Sequence, residues 1–230
     1  MFDPEALAVL AGSMLLMQSL YHPVTRFMTW VFGSKYTSLR TFEQQYCVKN
    51  TIKALVLGLL TPTVVNMLWG IAMEQEWGGH GRHIRLIGST YAATDIVALS
   101  KFGMTLPVNT FLHHSCVLVF GVLNLFMDYE QMHGPWRHMA ILAALSIPTY
   151  LVNIYLAFRR LNVHNRLLAR TSLLVYVPFV LCNIVYQGNV VMKYILVSPM
   201  QTTLFGSMVL TVFIDDLKLM GHLWRESLNK

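Results

Sequence analysis

The stretch Met139-Ala-Ile-Leu-Ala-Ala-Leu-Ser-Ile-Pro-Thr-Tyr-Leu-Val-Asn-Ile-Tyr-Leu-Ala-Phe158 carries no charge and is closed by Arg137 on one side and Arg159-Arg160 on the other. At about 1.5 Å per residue, a helix of this length crosses the roughly 30 Å hydrocarbon core of a bilayer. The span it predicts runs from Arg137 to Phe158. Further stretches read the same way: Glu5 to Tyr21, Lys49 to Met73, Ile84 to Gly103, Pro107 to Met127, Thr171 to Val197 and Met200 to Leu223. Gly33-Ser34, Gly78-Gly79-His80-Gly81, Gly134-Pro135 and Ser198-Pro199 punctuate the gaps as turns. The expected fold is therefore all-α, a polytopic membrane bundle of about seven transmembrane helices, with no internal repeat and no water-soluble domain.

Composition agrees with that reading. Of 230 residues, 55% are hydrophobic and 12% charged, with a mean hydropathy of +0.50, whereas a soluble domain carries about 25% charged residues. A soluble enzyme, a secreted module and a disordered regulator are excluded. The 17 Lys and Arg outweigh 11 Asp and Glu for a net charge of +6, and topology accounts for the excess without nucleic acid. Threading seven spans places 13 of the 17 basic residues on one side, leaving Arg82, Arg85, Arg137 and Lys193 on the other. By the positive-inside rule the C-terminus is cytosolic and the N-terminus lumenal or external. Asp3 and Glu5 stand where a basic n-region would be, so no cleaved signal is expected. Cys47, Cys116 and Cys182 lack metal or redox spacing and read as apolar filler. Trp30, Trp69, Trp77, Trp136 and Trp224 fall near span ends, where the membrane interface favours an amphipathic ring.

An ionisable group in hydrocarbon costs about 2.5–3.5 kcal/mol on insertion scales, so such groups face the bundle interior or a wet cavity. The spans hold Asp95, the pair His113-His114, Asn153, Asn183, Gln187 and the pair Asp215-Asp216. Helical rise puts the histidines about 10 Å and Asp95 about 12 Å from the cytosolic ends of neighbouring spans. A polar chamber open to the cytosol is the expectation, with Asp95 in reach of one imidazole. Adjacent helical residues point about 100° apart, so the two histidines are not expected to clasp one metal. One imidazole reads as a general base and the other as an orienting group, with Asp95 as its partner. The same groups read equally as a structural hydrogen-bond network that fixes helix register. Asp215-Asp216 is placed nearer the interface beside Lys218 than on the chamber wall, and His80 and His83 are read as solvated loop residues. No phosphate loop, dinucleotide fingerprint, nucleophile elbow or zinc-protease motif occurs.

The run Tyr91-Ala-Ala-Thr-Asp95, followed by Leu112-His113-His114, resembles the Asp-then-His-His signature of the TLC-domain membrane proteins, which include ceramide synthases, TRAM proteins and small lipid-homeostasis proteins. Leu145-Ser146-Ile147-Pro148 followed by Asn153 is similar to a Leu-Ser-Thr-Pro and Asn element of the small members. The segment Gln45 to Asn50 sits where the domain begins. The resemblance covers Phe42 to Trp224 and divides the chain into residues 1–41, a first helix with a basic connector; 42–224, a TLC-like six-helix domain; and 225–230, a cytosolic tail. It implies that His113, His114 and Asp95 are catalytic. Tyr91, Ser146, Asn153 and Asn183 are the expected substrate-binding positions.

The resemblance also implies acyl-CoA as co-substrate with no bound cofactor, membrane lipids and membrane proteins as partners, and the endoplasmic reticulum as location. The chain departs from ceramide synthases in lacking their His-Asp-x-x-Asp element, and Ala144 stands where small members carry Glu. The function expected is lipid or acyl-chain binding in the chamber, serving either acyl-CoA-dependent acyl transfer of the ceramide synthase type or regulation of membrane lipid composition. The alternative is a non-catalytic integral subunit of a larger membrane complex that holds a structural lipid.

Overall fold

The structure is a computed structural model that describes residues 2–74, 80–130, 134–163 and 165–228. Trp77, the Gly78-Gly79 turn and Lys230 lie outside these residues. Among the described residues the architecture is helical, with no strand: α1 (Pro4–Phe32), α2 (Ser34–Thr37), α3 (Thr41–Glu74), α4 (Gly81–Phe102), α5 (Val108–Asn124), α6 (Met139–Ser146), α7 (Tyr150–Phe158), α8 (Asn165–Tyr194) and α9 (Pro199–Leu228). Four segments are long and apolar enough to cross a membrane: Pro4–Phe32, Thr41–Ile71, Pro135–Leu161 and Asn165–Tyr194. Val108–Asn124 is apolar but shorter.

Local chemistry sets the helix ends. Asp3 caps α1, its Oδ1 accepting from the backbone N–H of Glu5 at 2.9 Å and Ala6 at 3.0 Å, with Pro4 at the first helical position. Gly33 (φ 50°) and Gly103 (φ 41°) end α1 and α4 in backbone conformations that side chains disfavour. Pro148 divides the Arg137–Phe158 stretch, because its ring removes a helical donor. A 3-10 turn at Ile147–Thr149 joins α6 to α7 there.

Several expected boundaries shift. The apolar run of α1 ends at Tyr21, yet the helix continues to Phe32 because Val24 and Met28 extend its buried stripe toward Tyr36. Helix α3 begins at Thr41 rather than Lys49, so Lys49 and Lys53 lie about two and three turns inside the helix rather than at its start. The last helix runs through Leu228, so the residues from Arg225 onward continue α9 without a break as far as Leu228.

Packing runs in a closed order: α4 on α5, α5 on α9, α9 on α8, α8 on α7, α7 on α3, and α3 back to α4, with α1 laid outside against α3 and α4. Successive rods alternate in direction. Asp3 N–H bonds to Leu125 O at 2.8 Å and Glu5 pairs with Arg82, gathering the starts of α1 and α4 with the end of α5. At the other end Phe32 meets Phe158 and Arg160 meets Glu43, gathering the ends of α1 and α7 with the start of α3. We call this second, Lys/Arg-rich end the basic end.

The outside of the ring is apolar, and the interior combines an apolar core with buried polar groups, as a bundle with a lipid-facing surface allows. Leu59, Leu174, Val185 and Leu210 are exposed, while Asp95, His114, Asn183 and Gln187 are buried. Trp30, Trp69 and Trp224 are exposed as an interfacial role requires. Trp136 instead packs inward against Phe120 and Phe205, with ring centroids 6.3 and 5.6 Å away.

Candidate functional site in the helix ring

The ring encloses a cavity of about 540 Å³ toward its basic end. Helix α3 contributes Tyr46, Lys49 and Lys53, α5 contributes His113 and His114, α7 contributes Asn153, and α9 contributes Asp215, Asp216 and His222. Tyr91, Ser146 and Asn183 complete the positions singled out in the sequence, and all of them line the wall. Asp95 is fully buried behind that wall.

Two imidazole–carboxylate contacts organise the inner part. His114 Nδ1 lies 2.9 Å from Asp95 Oδ1, and Lys53 Nζ reaches the same oxygen at 2.5 Å. His113 Nδ1 lies 3.4 Å from Asp215 Oδ2, whose other oxygen accepts from Thr110 Oγ1 at 3.1 Å. Neither histidine Nδ1 has hydrogen-bond geometry to its carboxylate, and Asp95 Oδ2 is buried without a hydrogen bond. The Lys53–Asp95 ion pair anchors the cluster, and the imidazoles can still form directed bonds. The two rings sit edge to face, their centroids 5.5 Å apart.

The rim toward the basic end is cationic. Lys49, Lys53, Arg159, Arg160 and Lys218 all line the cavity. Lys49 is 8% exposed, with its ammonium 5.3 Å from the Tyr46 ring and 5.5 Å from the Phe102 ring, and it has no carboxylate partner among the described residues. Burying an ammonium without a carboxylate is costly, and Lys49 faces a cavity that an anion can enter. Arg159 Nη1 donates to His222 Nε2 at 3.0 Å, and Tyr155 Oη meets the same nitrogen at 2.9 Å. Since guanidinium only donates, His222 Nε2 is an acceptor.

The wall differs from the sequence reading at one pair, and two further polar side chains make contacts that the sequence left open. Asp215 and Asp216 both line the cavity, with Tyr176 donating to Asp216 at 2.7 Å, so the placement of this pair beside the interface is corrected. Asn183 spends its amide on Leu142 O at 3.2 Å while still facing the cavity. Gln187 donates to His138 O at 3.2 Å, away from the cavity.

Lys49, Lys53, Tyr176 and His222 were not singled out in the sequence. A signal was present, since Lys49 and Lys53 are spaced i, i+4, and Asp215, Lys218, Leu219 and His222 repeat at i, i+3, i+4 and i+7. Either pattern marks one helix face.

Asp95, His113 and His114 can each offer a donor atom within 4.8 Å of the others. Side-chain rotation thus brings the adjacent histidines closer together than their 100° backbone separation implied. The Lys53 ammonium already neutralises Asp95, however, and a metal cation there would meet that charge at close range. The arrangement suits proton transfer better than metal coordination.

No protein-family model, curated protein or solved structure matches the chain.

Proposed function

We propose that the chain is a multi-pass, TLC-type membrane protein with seven crossings and a cytosolic C-terminus. Its cavity takes an acyl chain bearing a phosphorylated head group, supplied as acyl-CoA, and transfers the acyl group to a membrane amine. The endoplasmic reticulum is the membrane the resemblance implies. The observation that carries this reading is the cavity wall itself, in which a cationic rim with the unpaired Lys49 leads to two imidazole–carboxylate pairs. A phosphate at the rim supplies the charge that Lys49 lacks.

His113 is the general base in this account, since it is the more exposed of the two imidazoles, with a side-chain exposure of 15% against 7% for His114. It takes the amine proton as the nitrogen bonds to the thioester carbonyl carbon. The carbon–sulfur bond then breaks, and the proton passes to the departing thiolate, giving an amide and free CoA thiol. His114, tied to Asp95 and Lys53, positions its neighbour and the α4–α5 wall.

The test is gentle-detergent purification followed by mass spectrometry of co-purifying lipid and protein. A small particle carrying acyl-chain lipid is expected. A large assembly of fixed protein composition, with the cavity free of lipid, overturns the reading in favour of a structural subunit.

A further inference from the structure

A second, smaller cavity of about 40 Å³ lies deeper in the bundle, away from the basic end. It shares Tyr91 and Ser146 with the large cavity, so these two residues form the partition between them. Its walls are apolar, drawn from Met67, Ile87, Phe120, Ala140, Ala144 and Val212 among others.

The polar side chain of Asn124, which also reaches this wall, is fully occupied. Asn124 Nδ2 donates to Arg85 O at 2.9 Å and to Ser89 Oγ at 3.1 Å, while its Oδ1 accepts from Tyr129 Oη at 2.8 Å. Ser146 Oγ is likewise spent on Leu142 O at 2.8 Å. A water there would find few partners, and a void of this kind stays dry or takes an apolar ligand. Its volume matches roughly three waters, the size of the last few carbons of a hydrocarbon chain.

We infer that this inner cavity receives the end of the acyl chain and that Tyr91, with Ser146, gauges chain length. The inference rests on the acyl-binding reading above and adds its specificity. Tyr91 suits the task because one face of its ring carries the Lys53 ammonium, 5.7 Å from the centroid, while the residue also belongs to the apolar core cluster. The ring thus stands where the polar chamber ends and hydrocarbon begins. A chain passing Tyr91 gains about one methylene's burial per carbon, roughly fourfold in affinity for each.

The experiment measures competitive binding of acyl-CoA thioesters of increasing chain length to the full chain in lipid nanodiscs. Wild type is compared with Ala144→Leu, which fills the inner cavity, and Tyr91→Ala, which joins the two cavities. Ala144→Leu is expected to lower the ratio of longer- to shorter-chain affinity about tenfold, and Tyr91→Ala to raise it. The opposed directions keep the test informative if one variant fails to fold. An unchanged length ratio in whichever variant folds overturns the gauge while leaving acyl binding intact. Failure of wild type to bind any chain length overturns the acyl-binding reading and the gauge with it.

Discussion

Asp95 Oδ1 is shared by two partners from different helices, His114 Nδ1 at 2.9 Å from α5 and Lys53 Nζ at 2.5 Å from α3. One fully buried oxygen therefore ties three helices of the ring at the inner edge of the cavity. Removing it strands the Lys53 ammonium in a low-dielectric setting, a loss of about 3–5 kcal/mol for a broken buried pair. Asp95→Ala is expected to lower the detergent-solubilised melting temperature sharply, and adding Lys53→Met is expected to restore most of it. A double variant no more stable than Asp95→Ala would show that the pair carries no coupling.

Lys49 gives the opposite pattern. Its ammonium is buried beside aromatic rings with no carboxylate partner among the described residues, and the proposed function assigns it to ligand binding. Lys49→Met is expected to leave ligand-free stability unchanged or higher while weakening acyl-CoA binding about tenfold or more. Calorimetry beside a thermal melt reads both. Equal losses of stability and affinity would mean that Lys49 is structural.

The proposed function assigns the two histidines different roles. His113→Ala is expected to lower turnover by about two to four orders of magnitude with little change in melting temperature, as for loss of a general base. His114→Ala is expected to lower stability as well, because Asp95 loses a contact. Initial rates beside melting curves for the two variants separate these outcomes, and identical profiles would contradict the division.

Helix packing provides a check independent of chemistry. A Cβ added at Gly121 would lie 2.6 Å from Ala92 Cβ, whereas at Gly188 it would meet nothing within 4 Å. Gly121→Ala is expected to cost about 1–3 kcal/mol by forcing α4 and α5 apart. Gly188→Ala is expected to gain about 0.5–1 kcal/mol from helix propensity. The same sign of melting shift in both would contradict the α4–α5 approach.

Much of the helical architecture was legible because uncharged runs near twenty residues long admit few alternatives. Asp95, His113, His114 and Asn153 stood out as polar groups inside such runs, and approximate helical depth was enough to bring them together. What escaped was whatever lay at the edges of the runs. Lys49 and Lys53 read as charges at the start of a span because an apolar count cannot distinguish a helix that begins before the bilayer from one that begins at it. Trp136 read as an interfacial ring because sequence position gives depth but not facing, and its contacts with Phe120 and Phe205 are set by how α5 and α9 pack. The partition at Tyr91 was equally hidden, since two cavities meeting at one ring is a property of the assembled bundle.

Acyl transfer by the cavity is measured by single turnover of labelled acyl-CoA with a long-chain amine, using the purified chain in nanodiscs with His113→Ala in parallel. Amide and free CoA thiol are expected in equal amounts from wild type, with a loss of about a hundredfold or more in the variant. Wild type that binds the thioester but forms no amide, or a variant that forms it at the wild-type rate, would contradict the account.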